Sequence, residues 1–137
     1  MDSIVDTLWI GLPVLVLQLG IALALLAVGV ACYMAVTPFH EMQLVRAGNV
    51  AGGIVLMGTV VALAITLAAT LASSLVTLDI LLWGLVAVVL QLLTFLLTTA
   101  LFRDLRTMIE AGNLAAACVV VGIQIAVALI NAGAMAG

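Results

Sequence analysis

The sequence predicts an all-α integral membrane protein: four transmembrane helices arranged as two tandem, parallel two-helix repeats, with N- and C-termini outside. Three observations carry that expectation. Hydrophobic residues make up 68% of the 137-residue chain and charged residues only 7%, with a mean hydropathy of +1.54. The few ionisable residues divide the chain into four long silent runs, and a short motif in the first half recurs in the second. A soluble domain is about half apolar and about a quarter charged, because its surface must face water. Three arginines and six acidic residues cannot cover this chain with a solvated surface. The same arithmetic excludes a secreted disulfide scaffold, a nucleic-acid binder, a disordered tail and an ordinary soluble enzyme.

Asp2 and Asp6 come first, and nothing ionisable follows until His40, Glu41 and Arg46. Asp79 stands alone in the middle, and Arg103, Asp104, Arg106 and Glu110 form the last cluster. Each silent run exceeds the ~20 residues that a helix needs to cross a ~30 Å hydrocarbon core. The spans expected are roughly 8–36, 49–72, 78–102 and 113–135. Backbone groups in lipid must bond internally, so spans are helices or closed barrels, and barrels alternate in polarity. The stretch Ile80-Leu81-Leu82-Trp83-Gly84-Leu85-Val86 does not alternate. The first span is too long for a secretory h-region and lacks a basic flank, so it is expected to remain in the protein. Its length also requires it to tilt or to project past one face of the membrane.

Arg46 lies in the first connection, and Arg103 and Arg106 lie in the third. Two spans separate these connections, so both fall on one side, which the positive-inside rule makes cytoplasmic. Asp2, Asp6 and Asp79 then mark the outer face. The cytoplasmic charges cancel, which excludes a polybasic lipid-recruiting patch. The outer acidic residues either draw cations toward the membrane or simply keep those ends wet.

Ala47-Gly48-Asn49-Val50-Ala51 recurs as Ala111-Gly112-Asn113-Leu114-Ala115, and Phe39-His40-Glu41 is echoed by Phe102-Arg103-Asp104. These matches define one membrane domain over 1–137, with repeat one at 8–72 and repeat two at 78–135. Each repeat runs out-to-in and back, which gives a pseudo-two-fold along the membrane normal. Pro38 is expected to end or kink the first helix. Leu105, Met108 and Ile109 fall at i, i+3 and i+4, as in an amphipathic turn lying on the membrane. Glycine permits the positive φ of a sharp corner and asparagine caps helix N-termini. Gly48-Asn49 and Gly112-Asn113 therefore read either as corner plus cap or as part of a pathway.

Small residues at helical spacing (Gly48 and Gly52, then Gly58, Ala62, Thr66 and Thr70; in span four Gly122, Ala126, Ile130 and Ala134) suit close helix packing, within one chain or against a second protomer. Gln91, Thr94 and Thr98 share one face of span three, and Gln124 and Asn131 lie a heptad apart in span four. They bond across helices, about 1 kcal/mol each, or line a narrow wet path. No ionisable residue lies deep in a span, as a coupled carrier usually requires. No catalytic grouping, phosphate loop or metal-ligand spacing is present, so no enzyme activity, cofactor or metal is expected. His40-Glu41 reads as a solvated interfacial pair. Cys32 and Cys118 read as small buried apolar residues, and Trp9, Trp83 and Tyr33 as interfacial anchors.

Four spans, Glu41 ahead of Gly48-Asn49-Val50-Ala51, the second copy Glu110-Ala111-Gly112-Asn113-Leu114-Ala115, and Asn131-Ala132 near the end resemble the bacterial family called domain of unknown function 350, the YjfL-like small inner-membrane proteins. The resemblance covers nearly the whole chain. It implies a bacterial plasma-membrane protein of two tandem two-helix repeats, in a genetic context of polyamine metabolism or membrane stress. It brings no catalytic or binding residues with it.

Two functions are expected from these observations. One is an oligomeric, non-enzymatic module in the lipid bilayer that docks a cytosolic or peripheral membrane protein. Its cytoplasmic residues are His40, Glu41, Arg46, Arg103, Asp104, Arg106 and Glu110. The alternative is a small ion or polyamine channel or facilitator, lined by Gln91, Thr94 and Thr98 or by the corner asparagines. Carbonyls, amides and hydroxyls select ions without buried charge.

Overall fold

The computed structural model describes residues 2–37, 40–74 and 76–136, and these form helices joined by turns. In chain order they are α1 (Asp2–Val36), α2 (Glu41–Arg46), α3 (Val50–Ser73), α4 (Thr77–Leu101), α5 (Leu105–Glu110) and α6 (Leu114–Ala136). α1, α3, α4 and α6 are each long and apolar enough to cross a membrane, and the chain is a multi-pass membrane protein. The helices agree with the expected spans to within a few residues, except that α1 already begins at Asp2. Pro38 and Phe39, with the expected kink and half of the aromatic echo, lie outside the described residues, as does Leu75.

α1 has 35 residues, which at 1.5 Å per residue makes it about 52 Å long. Gly84 of α4 lies against Leu25 and Gly29 of α1 lies against Val88, so the two helices run parallel and in step. On that register α4 starts level with Gln18. The preceding part of α1 projects beyond the bundle, and no described residue before Ala22 is buried. The first helix thus overshoots the bundle at one end.

The most extensive contact is between α3 and α6, with α1 and α4 packed against α3. Gly58 makes that contact possible. A Cβ there would sit 2.5 Å from Val121 Cγ2, far inside van der Waals contact. Gly58, Ala62, Thr66 and Thr70 are all buried along α3, so the small-residue stripe of this span does face its neighbours. The matching stripe of α6 does not. Gly122, Ala126 and Ala134 are exposed, Ile130 is 74% exposed, and α6 buries Ala116, Ala117, Val120, Gln124 and Ala128 instead. Alanine is frequent enough that small residues line more than one face, and Gln124 and Val120 choose which face turns inward.

Other expectations need correction. Gly48 lies in a turn, so Gly48 and Gly52 form no helix–helix GxxxG; Gly52 instead receives Leu44 of α2. The apolar side of α5 does not lie on lipid. Leu105 and Ile109 are buried in a cluster with Val55, Phe95 and Val120. Tyr33 is 1% exposed and meets Phe95 edge-on, with ring centroids 4.6 Å apart, so it is a core residue and not an interfacial anchor. Cys32 and Cys118 are free and exposed on the outside of the bundle.

Replacing Gly58 by leucine is expected to force α3 and α6 apart and cost about 1–3 kcal/mol, the usual penalty of overpacking. Gly122→Leu, with nothing within 4 Å of its Cβ position, is expected to be neutral. Thermal unfolding of the two variants in detergent checks both.

Candidate functional site

The two short connections end in the same backbone device. After α2, Gly48 takes φ +80°, its N–H donates to Val45 O at 3.0 Å, and the Asn49 N–H donates to Leu44 O at 2.8 Å. After α5, Gly112 takes φ +82°, its N–H donates to Ile109 O at 3.0 Å, and the Asn113 N–H donates to Met108 O at 2.9 Å. Both are Schellman turns, which need a left-handed residue that glycine supplies without strain. Each asparagine then caps the next span: Asn49 Oδ1 accepts from Gly52 N at 3.0 Å and Asn113 Oδ1 from Ala116 N at 3.2 Å. The asparagines differ in their amide nitrogens. Asn49 Nδ2 donates to Ile109 O at 3.0 Å and Glu110 O at 3.1 Å, tying the α2 connection to the last carbonyls of α5. Asn113 is exposed. The corners hold the chain together.

A polar layer crosses the bundle near the middle of α3, α4 and α6. Gln124 Nε2 donates to Thr59 Oγ1 at 2.9 Å, Thr59 Oγ1 donates to Val55 O at 3.1 Å, and Gln91 Nε2 donates to Gln124 O at 3.3 Å. Three helices are joined by side-chain amides in lipid, where polar groups have few other partners. Tyr33, Thr59, Gln91 and Gln124, with Leu63 and Leu92, enclose a cavity of about 10 Å³. The Tyr33 hydroxyl, Gln91 Oε1 and Gln124 Oε1 have no hydrogen-bond partner among the described residues. That space suits one water, which needs about 10–15 Å³ and two to four polar partners.

Glu41 extends this layer toward the α2/α5 end. It is 1% exposed, which overturns the solvated His40-Glu41 pair; His40 alone is exposed. The Schellman turn folds α2 back so that Leu44 meets Gly52, and the first residue of α2 turns inward. Thr37 Oγ1 lies 3.3 Å from Glu41 Oε2 and 3.0 Å from Tyr33 O. Its one proton is shared between the Tyr33 carbonyl and the Glu41 carboxylate oxygen. Burial pushes the Glu41 carboxyl up to about 7, while the neighbouring hydroxyls of Tyr33 and Thr37 pull it down. Among the described residues, no ion pair offsets the burial.

Of the residues expected along a pathway, only Gln91 joins this layer. Thr94 and Thr98 donate to Leu90 O and Thr94 O, both at 2.8 Å, so their hydroxyls are spent on their own helix. Of the expected docking residues, His40, Arg46, Arg103, Asp104, Arg106 and Glu110 are exposed. Arg106 Nε pairs with Glu110 Oε1 at 3.0 Å, and Asp104 adopts φ +63° ahead of α5. Sequence reasoning misses Tyr33 and Thr59 as site residues and expects Glu41 at the surface. The polar row Tyr33, Thr37 and Glu41, four residues apart in sequence, is the signal for the first and last of these, whereas Thr59 is marked only by its place beside Gly58. Among the described residues, no group of three His, Cys, Asp or Glu is placed to hold a metal.

A family model described as Domain of Unknown Function (DUF350) matches residues 7–135. No curated protein and no solved structure matches the chain.

Asn49→Ala is expected to destabilise the protein more than Asn113→Ala. Loss of a cap costs about 1 kcal/mol in either case, but only Asn49 also holds α5. Amide exchange within residues 105–110 is expected to rise in the first variant and stay unchanged in the second.

Proposed function

The chain belongs to the DUF350 family, and on that premise we propose that it is a non-enzymatic, multi-pass module of the bacterial plasma membrane that docks a cytosolic or peripheral protein under control of proton binding at Glu41. The observation that carries this reading is a carboxyl buried at the start of a connecting helix and continuous with the membrane-buried polar layer.

The arginines give the orientation of this reading. Arg46, Arg103 and Arg106 all belong to the α2/α5 end, which the positive-inside rule assigns to the cytoplasm, leaving both termini outside. The duplicated Schellman corners and the close pairing of α3 with α6 support one membrane domain of two parallel repeats, 8–72 and 78–135. The outward stripe of Gly122, Ala126 and Ala134 on α6 suits close approach of a second copy. Docking falls to the exposed groups: His40, Arg46, Arg103 and Asp104, with the Arg106–Glu110 pair. Glu41 acts on them from inside, by fixing or freeing α2.

The sign of the pH effect follows from burial. The fold favours the neutral carboxyl, which keeps its proton up to about 7 where a solvated glutamate loses it near 4.5. Its contribution to stability is complete below 4.5, fades as pH rises, and is gone above about 7. Charging Glu41 beside its apolar neighbours loosens α2 from α3.

A second reading, a small-ion facilitator, draws on the unpartnered Gln91 and Gln124 oxygens at the central cavity. Against it, the cavity has room for about one water, and Leu25, Leu63 and Leu67 are packed around Gly29 and Gly84 in the half of the bundle beyond it. Ion flux from liposomes separates the readings: a conduit loses conductance with Gln91→Leu, and a docking module is silent throughout.

Amide exchange of residues 41–49 in nanodiscs is expected to accelerate severalfold as pH rises through about 7, after correction for the intrinsic rate. Glu41→Gln is expected to abolish the step. A wild-type profile with no step, or one that Glu41→Gln leaves in place, contradicts the proposal.

A further inference from the structure

At the end of the bundle opposite α2 and α5, a groove of about 410 Å³ runs between α4 and α6. Its polarity is graded along its length. Ser74 and Asp79 stand at the mouth, Trp83 comes one turn further in, and Val86 and Leu90 line the deeper part on α4. At 1.5 Å per residue, Leu90 lies roughly 16 Å along the helix from Asp79. Asn131 lines the α6 side, and its buried side-chain nitrogen has no hydrogen-bond partner among the described residues. Val86 and Leu90 are themselves exposed on the outside of the bundle, so the groove opens sideways toward the bilayer.

We propose that this groove binds one phospholipid with an ammonium headgroup from the leaflet at that end. A groove open to hydrocarbon fills with an acyl chain, which accounts for its deep part. Its mouth accounts for the headgroup. The Asp79 carboxylate is exposed and makes no ion pair among the described residues, and every arginine of the chain belongs to the opposite end. The exposed indole of Trp83 stands a helical turn away. A carboxylate beside an aromatic face is the pairing that recognises ammonium groups, and partial desolvation at an interface strengthens it. The Asn131 side chain gives the groove wall a polar point between headgroup and chain, where a phospholipid carries its ester oxygens. The three features follow the order of a lipid: cation, acceptor, hydrocarbon.

Native mass spectrometry of the purified protein in equal mixtures of phosphatidylethanolamine and phosphatidylglycerol tests this. The wild type is expected to retain phosphatidylethanolamine about fivefold in preference, the ratio that about 1 kcal/mol produces. Asp79→Asn is expected to remove the preference while a lipid is still retained. Val86→Trp, which fills the groove, is expected to remove the retained lipid itself, with thermal unfolding confirming that the variant is folded. Equal retention of both lipids by the wild type overturns the proposal, as does a preference that survives Asp79→Asn. Retention unaffected by Val86→Trp in a folded variant also overturns it, because the lipid then lies elsewhere. A groove occupied by a second copy, seen as a lipid-free dimer that Val86→Trp dissociates, overturns it as well.

Discussion

The close approach of α3 to α6 at Gly58 is the contact from which the rest of the bundle follows. With any side chain at that position, Val121 would be displaced and the two backbones would separate. The next residue, Thr59, reaches Gln124 only because the helices are that near, at 2.9 Å. Gln124 in turn offers its carbonyl to Gln91 of α4, and α1 completes the ring with Tyr33. One missing methyl group therefore sets the geometry of a polar layer drawn from four helices. The same approach brings the two short connections together at one end, where Asn49 reaches the last carbonyls of α5.

Lipid imposes a strict rule on polar groups, because nothing outside the protein can satisfy them. Threonines meet it locally: Thr59, Thr66, Thr70, Thr94 and Thr98 all return their protons to carbonyls of their own helices. Glutamines cannot reach their own backbone in this way, so Gln91 and Gln124 bond across helices and leave an oxygen each for the central cavity. Glu41 is the exception with consequences. It is ionisable, buried and without a cation, so its protonation state is coupled to the packing of α2 against α3. The layer and the carboxyl lie on the α2/α5 side of a tightly packed apolar region around Gly29 and Gly84. That arrangement favours a site reached from one side over a passage through the monomer.

The architecture was legible because charge is so scarce in this chain: silent runs located the spans, and two Ala-Gly-Asn triplets located both corners, down to the positive φ of each glycine. Facing was less legible. In α6, small residues occur on several sides, and the face that turns inward is the one that carries Val120 and Gln124 and sets Val121 against Gly58. Glu41 was misread for a related reason. Its neighbours His40 and Met42 are exposed, and a six-residue helix has too little periodicity to show which residue points home. Its burial depends on the turn that follows, which folds Leu44 onto Gly52. Tyr33 sits near the end of a span, where tyrosine usually anchors at the interface, and only the adjoining Thr37 and Glu41 mark it as part of an internal row.

The most direct measurement is the protonation state of Glu41 in membranes, read by infrared difference spectroscopy of isotope-labelled protein during a pH titration. A buried carboxyl coupled to the polar layer shows its protonated carbonyl band up to neutrality and loses it through about 7, with no such band in Glu41→Gln. A carboxyl already ionised near the 4.5 of a solvated glutamate contradicts the coupling and leaves α2 as a passive connection.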